Sequence, residues 1–171
     1  IKKLNIPLIE SASFSKNNLS ADVLYKTFKK FGPFVLKPVS SGSSYGVKMF
    51  YSKRDIDIFN KNFELEINTY ENHNEIMLEK YIRGRELTVG VWQNNNKAES
   101  LAVTEIIYEN EFYDYNAKYV KGLSKHILPA AIPKKVYNEC CYYAKIIHDH
   151  LGCLGISRSD FIFDEKNIYF L

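Results

Sequence analysis

Three observations predict an α+β fold with two subdomains and mainly antiparallel sheets. Residues 18–81 read helix, strand, strand, helix, strand. From Glu86 the chain alternates apolar and polar residues on both sides of an Asn-rich turn, the pattern of a hairpin. A long amphipathic helix follows, then one more strand and the start of its partner. The break at Arg83-Gly84 divides the chain into subdomains 1–81 and 82–171.

Residues 1–17 are polar and irregular, with Pro7 breaking any helix. Ser20 is placed to cap a helix, with Leu19 and Leu24 stapled across it. Leu24, Phe28 and Phe31 share its buried face, and Gly32-Pro33 ends it. Two apolar runs, Phe34-Val35-Leu36 and Val47 to Tyr51, read as strands. Ser52 with Asp55 forms a capping pair for a second helix with the face Ile56, Phe59, Phe63 and Ile67. Asn68 to Asn74 is a polar loop, and Ile76 to Tyr81 a strand.

In the second half, Glu86 to Trp92 puts Leu87, Val89 and Val91 on one face and Glu86, Thr88 and Gly90 on the other. Asn94 to Asn96 turns the chain, and Ser100 to Tyr108 pairs back. Residues 109–126 are aromatic and charged without a clear period, which suits a lid. Pro133 opens a helix that buries Val136, Cys140, Ala144, Ile147 and Leu151, and Gly152 closes it. Leu154 to Phe163 is a strand, Asp164 to Asn167 a turn, and Ile168 to Leu171 the start of another strand.

A chain of 171 residues can bury a sizeable core. Its net charge of +3 is too small to argue for nucleic acid, and no basic stripe is visible among the aromatics. The cysteines, Cys140, Cys141 and Cys153, are odd in number and lack metal-ligand spacing, as expected of reduced thiols in a cytoplasm. His73, His126, His148 and His150 form no ligand set. No apolar run is long enough to span a membrane, and no secretory signal pattern opens the chain.

The stretch between the first two strands carries the clearest chemistry. Gly42 and Gly46 lie among Ser40, Ser41, Ser43 and Ser44, just after Lys37. Small residues let backbone N–H groups approach an anion, hydroxyls add donors, and Lys37 supplies fixed positive charge. It is not a Walker loop, because no Gly-Lys-Ser/Thr follows and the next element is a strand. An ordinary flexible hairpin has the same composition.

Arg158 and Asp160 point to one face of their strand. They close an ion pair or face a ligand, and apolar Ile156 and Ile162 on that face imply partial burial. A carboxylate beside a phosphate suggests magnesium. Glu79, Lys80 and Glu86 flank the strand crossing, where a nucleotide base and ribose could be read; a solvated charged hinge would look alike. Lys118 and Tyr119 lie in the expected lid, or are a surface pair.

In order, Phe34-Val-Leu-Lys-Pro, Gly42-Ser-Ser-Tyr-Gly46, Leu78-Glu-Lys-Tyr, Gly84-Arg-Glu86, Phe112-Tyr-Asp-Tyr-Asn-Ala-Lys-Tyr119, Leu128-Pro-Ala, Leu151-Gly-Cys and Arg158-Ser-Asp160 resemble D-alanine–D-alanine ligases of the ATP-grasp superfamily. The resemblance runs from about Ile6 to Leu171, and the segment from Phe112 to Tyr119 is its most specific part. It implies an ATP-grasp fold whose two subdomains clasp a nucleotide, with residues 37–47 as the phosphate loop.

The resemblance also implies roles. Lys37 and Lys80 would hold ATP phosphates and help fix the base, and Ser43 and Ser44 would close over the phosphates. Glu79 and Glu86 would contact adenine and ribose, with Phe112 near the base and Lys118 at the terminal phosphate. Tyr119 would lock the lid against the Ser43 loop. Arg158 would stabilise the acyl phosphate and the tetrahedral intermediate, and Asp160 would bind Mg2+ or Mn2+. The implied reaction joins two D-alanines at the expense of ATP, for peptidoglycan synthesis in a bacterial cytoplasm, by a homodimeric parent enzyme. Family members have an N-terminal domain before the matched region and a Glu-x-Asn metal motif after it. On that ground these 171 residues are expected to bind nucleotide without full activity. Another ATP-grasp carboxylate–amine ligase and a non-catalytic nucleotide-binding remnant are the alternatives.

Overall fold

The structure is a computed structural model that describes residues 2–41, 44–95, 97–108 and 124–171. The chain divides into two compact units: residues 10–81, and residues 2–9 with 82–108 and 124–171.

The unit of residues 10–81 contains strand β1 (Ser11–Ser15), helix α1 (Ala21–Phe31), β2 (Phe34–Pro38), β3 (Lys48–Phe50), α2 (Lys53–Lys61), α3 (Phe63–Asn68) and β4 (Glu75–Lys80). The strands form an antiparallel sheet in the order β1-β4-β2-β3. Ser20 caps α1 by accepting from Val23 N–H, and the Asp55 carboxylate accepts from Ser52 N–H at 2.7 Å before α2. Leu19, Leu24, Phe34, Leu36, Phe50, Ile56, Phe59, Ile76 and Leu78 form the core with Tyr70. Phe34 stacks on Phe50 at 4.7 Å between ring centroids.

Three features of this unit differ from expectation. Ser11 to Ser15 is not irregular but an edge strand, satisfied by β4. The second helix is two helices, because Asn62 (φ −113°, ψ 26°) ends α2 and begins α3. The apolar stripe survives the break, since Phe63 packs edge-on against Phe59. Tyr70 is completely buried although it lies in the polar stretch.

The other unit contains β5 (Arg85–Asn94), β6 (Lys97–Tyr108), β7 (Ser124–Ile127), α4 (Lys134–His150), β8 (Ile156–Phe163) and β9 (Ile168–Phe170). Its antiparallel sheet has the order β7-β6-β5-β8-β9. Leu87, Val89, Val91, Val103, Phe161 and Phe163 form a core with Val136, Cys140, Ala144 and Ile147 of α4. Residues 2–9, placed by sequence in the first subdomain, belong here instead. Ile6 is in this core, and Phe170 N–H bonds to the Pro7 carbonyl at 2.9 Å.

Residues 124–126, expected in the irregular segment, begin the edge strand β7. Leu151 is 60% exposed rather than buried, because it caps α4 past the last turn. The buried row instead runs by fours from Cys140 through Ala144 to His148, whose Nδ1 lies 2.7 Å from Ser157 Oγ. Gly84 packs so closely that a Cβ there would lie 2.6 Å from the Phe163 carbonyl oxygen. No helix among the described residues is long and apolar enough to cross a membrane.

Candidate functional site

The unit of residues 10–81 carries the glycine-rich loop and its basic anchor. In the register of β2 and β4, Val35 pairs with Glu79 and Lys37 with Met77. Lys37 and Glu79 therefore share the sheet face turned away from Leu36 and Leu78, as diagonal neighbours. Lys37 Nζ donates to Glu79 Oε1 at 2.6 Å, and Glu79 is buried. The structure thus brings two candidate residues into direct contact. Lys80 pairs with Phe34, so it faces the other way from Lys37, and its side chain is exposed.

After β2, Val39 N–H bonds to the Glu75 carbonyl at 3.1 Å. The described part of the loop resumes at Ser44 (φ 59°) and ends in a tight turn in which Val47 N–H donates to the Ser44 carbonyl at 3.3 Å. Gly46 has φ 67°, a conformation in which a side chain is strained. A Cβ there would also lie 3.2 Å from both Pro38 Cγ and Tyr70 Cε1. Its carbonyl accepts a hydrogen bond from the Tyr70 hydroxyl at 2.6 Å. Burial, with the nearby Glu66 charge adding to it, pushes the Tyr70 pKa well above its ordinary value, so the hydroxyl stays a donor. Sequence reading missed Tyr70. A single aromatic within Asn68 to Asn74 was the available signal.

In the other unit, β5 and β8 place Thr88 opposite Asp160, Gly90 opposite Arg158 and Glu86 opposite Ile162. One sheet face therefore carries Glu86, Thr88, Arg158 and Asp160 together. Thr88 Oγ1 donates to Asp160 Oδ1 at 2.7 Å. Arg158 Nε donates to the same oxygen at 2.9 Å, and Arg158 Nη2 to Oδ2 at 2.8 Å. The Arg158 side chain is 67% exposed and Ile156 is 77% exposed, so the expected apolar burial of the pair does not occur on that side. Ile156 sits at the first position of β8, against the exposed Trp92.

Arg85 and Glu105 form a separate, more buried pair. Arg85 Nε and Nη2 donate to the two Glu105 carboxylate oxygens at 2.7 and 2.6 Å, and Nη2 also reaches the Ala131 carbonyl at 2.9 Å. It lies on the face that carries Leu87, away from Asp160.

Ser43, Phe112, Lys118 and Tyr119 lie outside the described residues. Among the described residues no cluster of three acidic, His or Cys side chains is placed to hold a metal ion. Asp160 can still serve as one ligand, since a carboxylate has about four acceptor sites and its oxygens accept the bonds just described. Magnesium commonly takes one or two carboxylates, with phosphate oxygens and water completing its shell.

Compared with known families, all of residues 1–171 match the model described as D-ala D-ala ligase C-terminus. The chain belongs to that family. A D-alanine–D-alanine ligase of Wolbachia pipientis subsp. Culex pipiens (strain wPip) is 40% identical over 146 residues, covering 85% of this chain and 43% of that protein. One from Agrobacterium fabrum is 42% identical over 135 residues, covering 78% and 41%. This member of the D-Ala–D-Ala ligase family thus spans less than half the length of these curated relatives.

Among solved structures, D-alanyl-alanine synthetase A from Vibrio cholerae superposes with a TM-score of 0.79 at 23% identity, over 99% of this chain and 50% of that one. The ADP complex of N5-carboxyaminoimidazole ribonucleotide synthetase superposes with a TM-score of 0.74 at 22% identity, over 99% and 41%. The expected α+β ATP-grasp fold is the one found.

Proposed function

We propose that this chain is the nucleotide-holding part of an ATP-dependent D-alanine–D-alanine ligase. The observation that carries the reading is the family match over all of residues 1–171. The geometry adds a basic side chain, Lys37, on the strand that leads into the glycine-rich loop, and a hydrogen bond from Tyr70 to Gly46 at the loop's far end.

In this reaction the carboxylate of one D-alanine attacks the terminal phosphorus of ATP, forming D-alanyl phosphate and releasing ADP. The amine of a second D-alanine then attacks the acyl carbon. The C–O bond to phosphate breaks, and the nitrogen loses a proton as the peptide bond forms. Lys37 and Lys80 hold phosphates and help fix the base, Lys118 reaches the terminal phosphate, and Ser43 and Ser44 close over the phosphates. Glu79, Glu86 and Phe112 surround adenine and ribose. Arg158 faces the charge that develops on the acyl centre. Asp160 would hold magnesium, which would supply positive charge to offset that of the phosphates. Tyr119 and the lid keep water from the acyl phosphate.

The Lys37–Glu79 bond refines one assignment. With its carboxylate committed to Lys37, Glu79 acts first by orienting that lysine. Cytoplasmic location, a homodimeric parent and a place in peptidoglycan synthesis accompany the reading. A second reading is a related ligase with another acceptor. It is favoured by the likeness, at a TM-score of 0.74 and 26% identity over 99% of this chain and 48% of that one, to a D-Ala:D-Ser ligase from Enterococcus faecalis.

Calorimetry of the 171-residue chain with ADP and magnesium tests the nucleotide site. Binding is expected, with weaker affinity in Lys37→Ala; equal affinity removes Lys37 from the site. Ligation is tested by D-alanine-dependent phosphate release after the chain is joined to the remaining segments of a relative. D-serine as competitor separates the two acceptors.

A further inference from the structure

We propose that Tyr70 is a positioning residue of the glycine-rich loop: the turn at residues 70–73 clamps Tyr45 and Gly46 and fixes the turn through which the loop leads into β3. This rests on the nucleotide reading above and adds to it a residue from outside the loop.

The Tyr70 ring is completely buried, so its hydroxyl needs a partner, and the Gly46 carbonyl supplies one at 2.6 Å. That bond fixes the plane of the peptide between Gly46 and Val47. In a trans peptide the N–H points opposite to the C=O. With the carbonyl turned to Tyr70, Val47 N–H points away from it, toward the Ser44 carbonyl, which accepts it at 3.3 Å. One buried hydroxyl thereby sets the turn from Ser44 to Val47.

The fit leaves little slack. Tyr70 Cε1 and Pro38 Cγ both approach Gly46 so closely that even a methyl group would crowd them. The same turn touches the preceding loop residue, since the His73 ring lies 6.1 Å from the Tyr45 ring between centroids. The turn is itself held from behind. His73 N–H bonds to the Tyr70 carbonyl at 2.9 Å, and Lys16 Nζ donates to the carbonyls of Tyr70 and Glu71 at 3.1 and 2.9 Å. At the loop's other end, Glu79 holds Lys37. Both ends of the loop are therefore referenced to residues 70–79.

A phenylalanine would fill the same volume without fixing the peptide plane, so Tyr70→Phe separates positioning from packing. Hydrogen exchange of the nucleotide-free chain is read at residues 45–47, and Mg·ADP affinity by calorimetry. In Tyr70→Phe, exchange there is expected to rise, with β2 and β4 unchanged, and affinity to fall by about fivefold, the worth of one hydrogen bond. Lys16→Met, which loosens the turn from behind, should act in the same direction, more weakly. Tyr25→Phe removes a hydroxyl bonded to Asp57 in the same unit and should match the unsubstituted chain in both readouts. Unchanged exchange in both Tyr70→Phe and Lys16→Met overturns the clamp. Faster exchange with unchanged Mg·ADP affinity overturns its role at the nucleotide site. No binding by the unsubstituted chain overturns the nucleotide reading and the positioning role with it, while the exchange result still decides the clamp.

Discussion

Arg158 and Asp160, two residues apart on β8, are joined side by side through two parallel hydrogen bonds of 2.9 and 2.8 Å. The Arg158 side chain is 67% exposed and that of Asp160 37%, so water screens the pair. Its contribution to folding is at most about 1 kcal/mol. Asp160→Asn is therefore expected to leave the denaturation midpoint nearly unchanged. If Asp160 anchors magnesium, the same substitution should weaken ADP binding in the presence of magnesium and not in its absence. Denaturant titration and calorimetry, each with and without the metal, separate the two effects. A large loss of stability would make the pair structural.

Lys37 and Glu79 should behave differently, because Glu79 is buried. Lys37→Ala leaves its carboxylate without that partner and should cost about 1.5–3 kcal/mol. Glu79→Gln keeps an uncharged acceptor for Lys37 and should cost less. Denaturant unfolding of both variants checks the order. Lys37→Ala within about 0.5 kcal/mol of the unsubstituted chain, the range of surface substitutions, would show that the pair is effectively solvated.

Asp164 gives a pH dependence of definite sign. Burial pushes its pKa up, but the backbone N–H groups of Asn167 and Lys166, with smaller help from the Asn167 and Tyr169 side chains, hold it below 3.8 overall. A lowered folded-state pKa means stability that is present above the unfolded value and lost as pH falls through the folded one. The turn between β8 and β9 should therefore weaken in acid, below the ordinary carboxylate range. Asp164→Asn should flatten that part of the stability profile and change little at neutral pH relative to its own acid value. Parallel acid limbs for the two proteins would assign the loss to other carboxylates.

Tyr119 is expected to act through its hydroxyl. In a ligase that turns over, Tyr119→Phe should lower the rate more than it weakens ATP binding, by the order of 1 kcal/mol for one hydrogen bond. Single-turnover and equilibrium binding measurements on the same preparation compare the two. Unchanged turnover would reduce Tyr119 to packing.

The elements legible in the sequence are those whose signals are local. Ser20 with Leu24 starts α1 because cap and staple lie within one turn. The alternation of Leu87, Val89 and Val91 marked β5 because that face of the strand is buried from Leu87 to Val91. Ser11 to Ser15 gave no such signal, since it is an edge strand with only Phe14 partly buried, and β4 supplies its pairing from 60 to 68 residues away. The shared face of Arg158 and Asp160 followed from the two-residue period, whereas their exposure depends on where the sheet ends. Lys37 was legible as a charge before a glycine-rich loop. Its bond to Glu79 needed the register of β2 against β4, which no single stretch encodes.

The Arg85–Glu105 pair constrains how this sequence can drift. Glu105 is buried, and Arg85 spends three hydrogen bonds on it and on the Ala131 carbonyl. Losing Arg85 strands the buried Glu105 carboxylate, at up to about 3–5 kcal/mol, and losing Glu105 takes the carboxylate partner from a part-buried guanidinium, while exchanging both for apolar residues of similar volume is close to neutral. Each single substitution is thus a valley between two tolerable states. Across related sequences the two positions are expected to change together or not at all, so they should co-vary even though neither belongs to the proposed nucleotide or acyl-transfer residues.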